Sequence, residues 1–130
     1  MGTACQTLTV IEILEMNRLL IERHGGGGVG FLNRGSLEFA LEEIHGFIFD
    51  KELFPTIFDK AACLGWRIIS GHVFIDGNKR TAMMTTLAFL ELNGITCELP
   101  VAAIIDIACD IANGKLTIEG FSLALEQYSV

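Results

Sequence analysis

Apolar residues recur along most of this chain at spacings of three and four, which is the period of an amphipathic helix. The first such stripe has one asparagine among its apolar members and consists of Ile13, Leu14, Asn17, Leu20 and Ile21. Thr9 and Glu12 have the spacing of a capping box, in which two side chains satisfy free N–H groups at a helix start. The pattern predicts a first helix that begins near Thr9 and ends near Arg23.

A run of glycines between Gly25 and Gly30 follows this helix and stops it, because glycine loses the most backbone entropy when it is ordered. The helical period then returns in a second stripe made of Leu37, Ala40, Leu41 and Ile44. This second helix ends near Gly46. The stretch 46–55, which contains several aromatic residues, has no clear period and receives no firm prediction.

The third helix is predicted to hold Pro55 in its first turn, where the missing N–H of proline does no harm. Its apolar face consists of Ile57, Ala61, Leu64 and Ile68. It ends near Ser70, and a polar loop separates it from an apolar-rich segment over Asn78–Leu92. Apolar residues are so dense there that we expect a central helix, buried on most sides, that ends at Asn93-Gly94.

Two shorter helices, over about 101–112 and 118–128, complete the pattern. The fold class is therefore all-α, a compact bundle of about six helices with the polar loop at the N-terminus of the central helix. With 130 residues and 51% hydrophobic residues, the chain is expected to form one domain that needs no disulfide or metal to stabilise it.

Composition narrows the classes of function. The net charge is −7, and the basic residues form no long run, so nucleic acid is a poor candidate for direct binding. The cysteines are scattered, with no CxxC pair, which argues against a zinc site or disulfide framework and favours reduced thiols in a cytoplasm. The N-terminus lacks an export pattern, and Asp106 and Asp110 interrupt the most apolar stretch, so we expect no membrane span.

Most of the reactive side chains are concentrated in the loop before the central helix, which reads His72-Val73-Phe74-Ile75-Asp76-Gly77-Asn78-Lys79-Arg80. Gly77-Asn78 is a turn dipeptide placed immediately before a helix. A helix start offers free N–H groups and the positive end of the macrodipole, and Lys79 and Arg80 add cationic donors. This combination predicts a site for phosphate groups.

Asp76 would repel a phosphate unless a cation lies between them, so it indicates Mg²⁺ bound jointly by the carboxylate and phosphate oxygens. His72 is suited to accept a proton from an incoming hydroxyl near neutral pH. Two simpler explanations stay open. Asp76 could be a helix cap, and Lys79 and Arg80 could be a solvated first turn, although cations there oppose the macrodipole.

Other candidate residues are expected to be structural. Phe74 is expected to anchor the loop in the core, so that the polar residues around it are held still. His24 and His45 lack reactive neighbours and are interpreted as ordinary histidines. The segment Gly25–Gly30 lacks the Gly-Lys-Ser/Thr ending of a phosphate-binding P-loop and follows a helix rather than a strand, so we interpret it as a flexible connector.

The nine-residue loop resembles the Fic/Doc superfamily, and within it the Doc (death-on-curing) toxin branch. The Fic pattern is His-Pro-Phe-x-Asp/Glu-Gly-Asn-Gly-Arg-x-x-Arg. This chain has Lys79 where Fic proteins have glycine and Met83 where they have a second arginine, and both departures favour Doc. Flanking segments, among them Arg34–Leu41 and Phe89–Gly94, extend the resemblance over most of the chain.

The resemblance implies an enzyme that uses ATP and Mg²⁺ to transfer the γ-phosphoryl group to a threonine of elongation factor Tu, which arrests translation. By the same resemblance, His72 is the general base, Asp76 holds Mg²⁺, and Asn78 and Arg80 bind phosphates. Lys79 fills the space that glycine leaves open in Fic proteins and so favours an inverted nucleotide. Backbone N–H groups from Gly77 to Lys79 complete the phosphate site.

A small antitoxin protein is the partner that the resemblance implies, because the chain has no convincing copy of the Fic autoinhibitory helix. Two alternatives remain. The first is a Fic-like adenylyltransferase that transfers AMP, against which Met83 counts. The second is a module without catalytic activity that binds nucleotide or antitoxin.

Overall fold

A computed structural model describes residues 5–130, and this part of the chain contains six helices and one two-stranded hairpin. The helices and strands are α1 (Val10–His24), α2 (Arg34–Glu43), β1 (Phe47–Ile48), β2 (Lys51–Glu52), α3 (Ile57–Ser70), α4 (Asn78–Leu92), α5 (Val101–Ala112) and α6 (Ile118–Gln127). The all-α class and the number of helices are confirmed.

The start of α1 forms the expected capping box. The Thr9 hydroxyl accepts a hydrogen bond of 3.1 Å from the Glu12 N–H, and the Glu12 carboxylate accepts one of 2.8 Å from the Thr9 N–H. The helix ends at His24, and Gly25 has a φ of 80°, which glycine adopts at no steric cost. Local sequence signals are therefore sufficient to define both ends of α1.

The stretch 46–55, for which the sequence supported no firm prediction, contains the hairpin. β1 pairs with β2 in antiparallel register, Phe47 opposite Glu52 and Ile48 opposite Lys51. The turn residues Phe49 and Asp50 have φ values of 49° and 64°, as a two-residue hairpin turn of the primed type requires. Asn-Gly and Asp-Gly are the pairs that usually mark such a turn, and phenylalanine rarely adopts a positive φ. The pair Phe49-Asp50 therefore carries no recognisable turn signal.

Pro55 lies outside α3, which corrects the prediction that it occupies the first helical turn. Thr56 is the N-cap instead: its hydroxyl accepts a hydrogen bond of 3.0 Å from the Asp59 N–H, and Asp59 accepts one of 3.3 Å from the Thr56 N–H. Threonine and aspartate together satisfy the free N–H groups of the helix start better than a proline inside the helix would. Pro55 therefore restricts the chain just before the cap.

The hairpin is tied to α3 by the buried side chain of Lys60. Its ammonium group donates hydrogen bonds to the carbonyl oxygens of Ile44 and Phe54 and to the Glu52 carboxylate on β2, the first at 3.1 Å and the last at 3.2 Å. A buried ammonium group is tolerated only where each N–H finds an acceptor, and Lys60 finds three. The position of the hairpin is thus fixed relative to the third helix.

Helix α4 packs against α1, α3 and α5, and helix α3 packs against α2, α4, α5 and α6, so these two helices together form the centre of the bundle. The buried side chains of α4 lie on most of its circumference and are Thr81, Ala82, Met83, Thr85, Thr86, Phe89 and Leu90. The closest approach is to α3, where a Cβ on Gly65 would lie 2.0 Å from the Thr86 hydroxyl oxygen. Only glycine at position 65 lets the two helices come this close.

Over residues 5–130, no helix is both long enough and apolar enough to cross a membrane. Cys5, Cys63, Cys97 and Cys109 are all free thiols.

Candidate functional site

A cleft of about 850 Å³ opens where the loop before α4 meets the end of α3 and the face of α5. Every residue that the sequence identified as a candidate lines this cleft, namely His72, Asp76, Gly77, Asn78, Lys79 and Arg80. The opposite wall is apolar and includes Trp66 of α3, Met83 of α4 and Ile104 of α5. Such a cleft has the size and the mixed polarity of a small-molecule site.

Phe74 anchors the loop over residues 71–77 in the core of the protein. This side chain is fully buried and stacks on Phe31, with ring centroids 5.3 Å apart and an angle of 20° between the ring planes. The neighbouring Val73 carbonyl accepts hydrogen bonds from the N–H groups of Leu32, at 2.8 Å, and Asn33, at 3.0 Å. The prediction that Phe74 anchors the loop is confirmed.

Asn78 closes the loop with its side chain. Its Oδ1 accepts a hydrogen bond of 2.9 Å from the Phe74 N–H, and its Nδ2 donates one of 2.9 Å to the Phe74 carbonyl. The side chain therefore shapes the loop, which sequence reasoning did not foresee. A phosphate could still meet the Asn78 backbone N–H, which belongs to the first turn of α4, so the predicted phosphate contact stays a prediction.

The N-terminus of α4 is arranged to attract an anion. Gly77 takes the N-cap position with a φ of 75°, and no side chain caps the helix. The backbone N–H groups of Asn78, Lys79 and Arg80 donate no hydrogen bond within the described residues 5–130. Lys79 and Arg80 are exposed, and neither forms an ion pair with a carboxylate in the same part of the chain. Free donors and positive charge thus converge on one edge of the cleft.

Asp76 faces the glycine run that follows α1. Its Oδ2 accepts a hydrogen bond of 2.5 Å from the Gly27 N–H, and its Oδ1 accepts one of 2.7 Å from the Gly77 N–H. These two bonds, that of Gly27 foremost, together with the positive charge of Arg80, hold the pKa of the Asp76 carboxyl below its usual value. Asp76 is therefore a carboxylate at neutral pH, and it does not cap α4.

The residues at this position suit a magnesium ion that arrives with phosphates. Within the described part of the chain, no group of three or more His, Cys, Asp or Glu side chains could enclose a metal. Mg²⁺ commonly binds through one or two carboxylates together with substrate phosphates and water, which a single aspartate beside a phosphate site can provide. Each oxygen of Asp76 accepts one hydrogen bond and keeps further lone-pair capacity for a cation.

His72 lies at the rim of the cleft with its side chain exposed. Its φ is 45°, a left-handed conformation that is uncommon for a residue other than glycine. The amide of Asn33 supports this strained backbone by donating hydrogen bonds of 3.1 Å to the carbonyl oxygens of Gly71 and His72. His72 is therefore both exposed to solvent and part of the cleft lining, whereas His24 and His45 lie outside the cleft.

Sequence reasoning missed three contributors to the site. Asn17 was grouped with an apolar stripe, Asn33 was not singled out, and Gly27 was interpreted as part of a flexible connector. In the structure the glycine run lies against the loop, because Gly27 donates to Asp76 and the Gly30 carbonyl accepts from Ile75 at 3.0 Å. An asparagine at a core position of α1 was the one available signal, since buried amides usually have a specific partner.

The sequence of this chain is similar to the sequences of known proteins. The pattern of the Fic/DOC family matches residues 7–90, which span α1, α2, α3 and all but the end of α4. A protein named toxin Doc from Mycolicibacterium smegmatis is 32% identical over 92 residues, covering 71% of this chain and 69% of that toxin. A protein named protein kinase doc from Escherichia phage P1 is 26% identical over 117 residues, covering 89% of this chain and 90% of that kinase.

Proposed function

Because this chain belongs to the Fic/Doc family, we propose that it is a Doc-like toxin that phosphorylates a protein. It uses ATP and Mg²⁺, and its substrate is a threonine hydroxyl, for which elongation factor Tu is the first candidate. The names of the two relatives, one a toxin and one a protein kinase, support both parts of this proposal. Phosphorylation of elongation factor Tu would arrest translation.

The observation that carries the proposal is the meeting of two kinds of group in one cleft. His72, a side chain able to accept a proton, lies on the rim, and the uncapped first turn of α4 with Lys79 and Arg80 lies beside it. Phosphoryl transfer needs little covalent chemistry from a protein, so positioning and charge stabilisation are the main requirements. Both are available here on a loop whose backbone is fixed at Phe74.

In the proposed reaction each of these residues has a role. His72 accepts the proton of the threonine hydroxyl while the threonine oxygen forms a bond to the γ-phosphorus of ATP. The bond from the γ-phosphorus to the bridging oxygen breaks at the same time, and ADP leaves. The N–H groups at the start of α4 and the cations of Lys79 and Arg80 stabilise the negative charge on the phosphates. When bound, Mg²⁺ neutralises charge on the phosphate oxygens, and Asp76 is the residue that would hold it.

Transfer of a phosphoryl group rather than AMP is favoured by the apolar side of the cleft. Met83 is almost fully buried and lines the cleft one turn after Lys79, so this wall offers no second cation. A nucleotide bound in the adenylyltransferase orientation would lose a charged contact there. The lysine and arginine side chains that line the cleft, Lys79 and Arg80, both lie at the start of α4. This favours placing the γ-phosphate at the α4 end of the cleft.

As a toxin, the protein would be controlled by a small antitoxin protein, and the reaction would take place in the cytoplasm, where ATP and elongation factor Tu occur. The test is mass spectrometry of elongation factor Tu after incubation with the protein and Mg-ATP. We expect the addition of one phosphoryl group on a threonine. His72→Ala should abolish it, and His24→Ala, which removes an exposed histidine outside the cleft, should leave it unchanged.

Two results would contradict the proposal. Addition of an adenylyl group that depends on His72 would establish the adenylyltransferase alternative. If elongation factor Tu is unmodified, the same incubation with whole-cell lysate and ATP labelled on the γ-phosphate searches for another target. Absence of His72-dependent label in the lysate would contradict the proposal and favour the alternative of a module without catalytic activity.

A further inference from the structure

The glycine run approaches Asp76 so closely that a side chain at Gly26 would displace the end of the Asp76 or Ile21 side chain. A Cβ built on Gly26 would lie 2.8 Å from Asp76 Oδ2 and 2.8 Å from Cδ1 of Ile21. The next residue, Gly27, donates its N–H to the same oxygen at 2.5 Å, although a Cβ there would lie at an ordinary 3.5 Å. Gly26 provides the space and Gly27 provides the hydrogen bond.

Helix α1 holds the backbone of Asp76 from the other side. The Asn17 amide, which is fully buried, donates a hydrogen bond of 2.9 Å to the Asp76 carbonyl and one of 3.1 Å to the Thr81 hydroxyl. Both contacts reach from α1 to parts of the chain far away in sequence. Asp76 is therefore fixed at its main chain by Asn17 and at its carboxylate by Gly27 and Gly77.

We infer that Gly26 and Gly27, with Asn17 behind them, are positioning residues that orient the Asp76 carboxylate for the divalent cation. This inference rests on the proposed function, because it assigns a purpose to Asp76 in nucleotide binding. The glycine run is thus part of the site and acts through Asp76 without touching the nucleotide. Replacing a residue that orients a metal ligand typically lowers metal affinity or activity by about 10- to 100-fold.

The arrangement also keeps Asp76 away from the cations of α4. The carboxylate and Arg80 attract each other, yet they form no ion pair within 4.0 Å in the structure. A carboxylate released from Gly27 could turn toward Arg80 and neutralise it, which would remove both the metal ligand and a phosphate donor. Because backbone N–H groups hold the Asp76 carboxylate, its negative charge stays available for the divalent cation. The positive charge of Arg80 stays available for a phosphate of the same nucleotide.

The inference can be tested by nucleotide binding, without reference to catalysis. Trp66 is the sole tryptophan of the chain and lines the cleft, so its fluorescence reports on ligands there. ATP is titrated into each variant once with MgCl₂ and once with EDTA. For wild type we expect tighter binding in Mg²⁺. For Gly26→Ala we expect the increase in ATP affinity on adding Mg²⁺ to be smaller by about tenfold or more, with the affinity in EDTA nearly unchanged.

The matched control is Gly35→Ala on α2, outside the cleft. It does not need a positive φ and adds a Cβ that meets nothing within 4 Å, so its increase in ATP affinity on adding Mg²⁺ should equal that of wild type. Because the added methyl of Gly26→Ala also meets Ile21, the double variant Gly26→Ala/Ile21→Val removes that second collision. The inference expects the double variant to stay impaired. Recovery in the double variant would overturn it, since the defect would then come from Ile21 alone.

The outcomes separate this inference from the proposed function. If wild type binds ATP equally in Mg²⁺ and EDTA, the proposed role of Asp76 in holding Mg²⁺ fails. If Mg²⁺ raises the ATP affinity of wild type and of Gly26→Ala by the same factor, only the inference fails. Should Gly26→Ala not fold, NMR of the wild-type protein decides: the Gly27 amide should exchange slowly and shift when Mg-ATP is added. Rapid exchange of this amide would overturn the inference.

Discussion

The side chain of Asn78 is hydrogen-bonded to the backbone of Phe74 through both its oxygen and its nitrogen, each at 2.9 Å. These bonds turn the loop back on itself just before α4 begins. Phe74 in turn is buried against Phe31. The reactive residues between His72 and Arg80 are thus carried on a short loop whose shape is set by one amide and one aromatic ring.

Replacement of Asn78 should loosen this loop. Asn78→Ala removes both hydrogen bonds and leaves the partly buried Phe74 N–H and carbonyl without partners, which should lower the free energy of unfolding by about 1–3 kcal/mol. Urea denaturation measures this loss, and hydrogen exchange should show faster exchange of the Phe74 amide. Asn113→Ala is the control, because Asn113 is exposed and its side chain forms no hydrogen bond in residues 5–130. Equal stability of the two variants would contradict the prediction.

The cations at the start of α4 should bind the phosphates of ATP. Lys79→Ala and Arg80→Ala should each weaken ATP binding by about tenfold, as expected for loss of one hydrogen bond to a charged group. The Trp66 fluorescence titration measures the affinity, which should also fall as salt concentration rises. Lys51→Ala, on the hairpin, removes an exposed lysine away from the cleft and should bind ATP as wild type does. Unchanged affinity in both α4 variants would mean that the nucleotide binds elsewhere.

The contact between α3 and α4 should not tolerate a side chain at Gly65. Gly65→Ala places a Cβ 2.0 Å from the Thr86 hydroxyl and 3.2 Å from the Phe121 ring, so we expect a loss of stability of about 1–3 kcal/mol. Gly35→Ala, where the added Cβ meets nothing within 4 Å, should be as stable as wild type or more so.

A double variant checks the cause of this loss. Thr86→Ala removes the hydroxyl that the new Cβ would meet, so the effects of Gly65→Ala and Thr86→Ala should be less than additive in thermal or urea unfolding. Simple additivity would show that the strain arises at Phe121 or elsewhere.

Stability should fall in alkali because of Cys63. Burial, followed by the nearby Glu43 carboxylate, raises the pKa of this thiol from 9.0 to about 12. Between these values the unfolded chain loses the proton while the folded protein keeps it, so stability contributed by the neutral thiol is present below pH 9.0 and is lost progressively as pH rises.

The measurement is urea denaturation under reducing conditions at several pH values from neutrality to mild alkali. Cys63→Ala should make the alkaline loss of stability less steep, whereas Ile68→Val, which removes one buried methyl group from the same helix and no titratable group, should keep the slope of the wild type. If the slope is the same in both variants, ionisation of another group is responsible.

The sequence by itself determined the six helices. Apolar positions three and four residues apart and the Thr9–Glu12 capping box are local signals, and they located the helices because helix formation depends on residues at these spacings. The same reasoning failed over residues 46–55, where a hairpin turn uses Phe49 and Asp50 with positive φ. Strand β2 is also anchored by Lys60 of α3, a tertiary contact that no local pattern shows.

The sequence also determined which residue types carry the proposed chemistry, since His72, Asp76 and the residues to Arg80 are neighbours in the chain. Only the tertiary structure decided how they are held. The contacts of Asn17 with Asp76, of Gly27 with Asp76 and of Asn33 with His72 join positions that are far apart in sequence. No local pattern encodes such contacts, because they arise only when packing of the helices brings the backbone of one segment against the side chain of another.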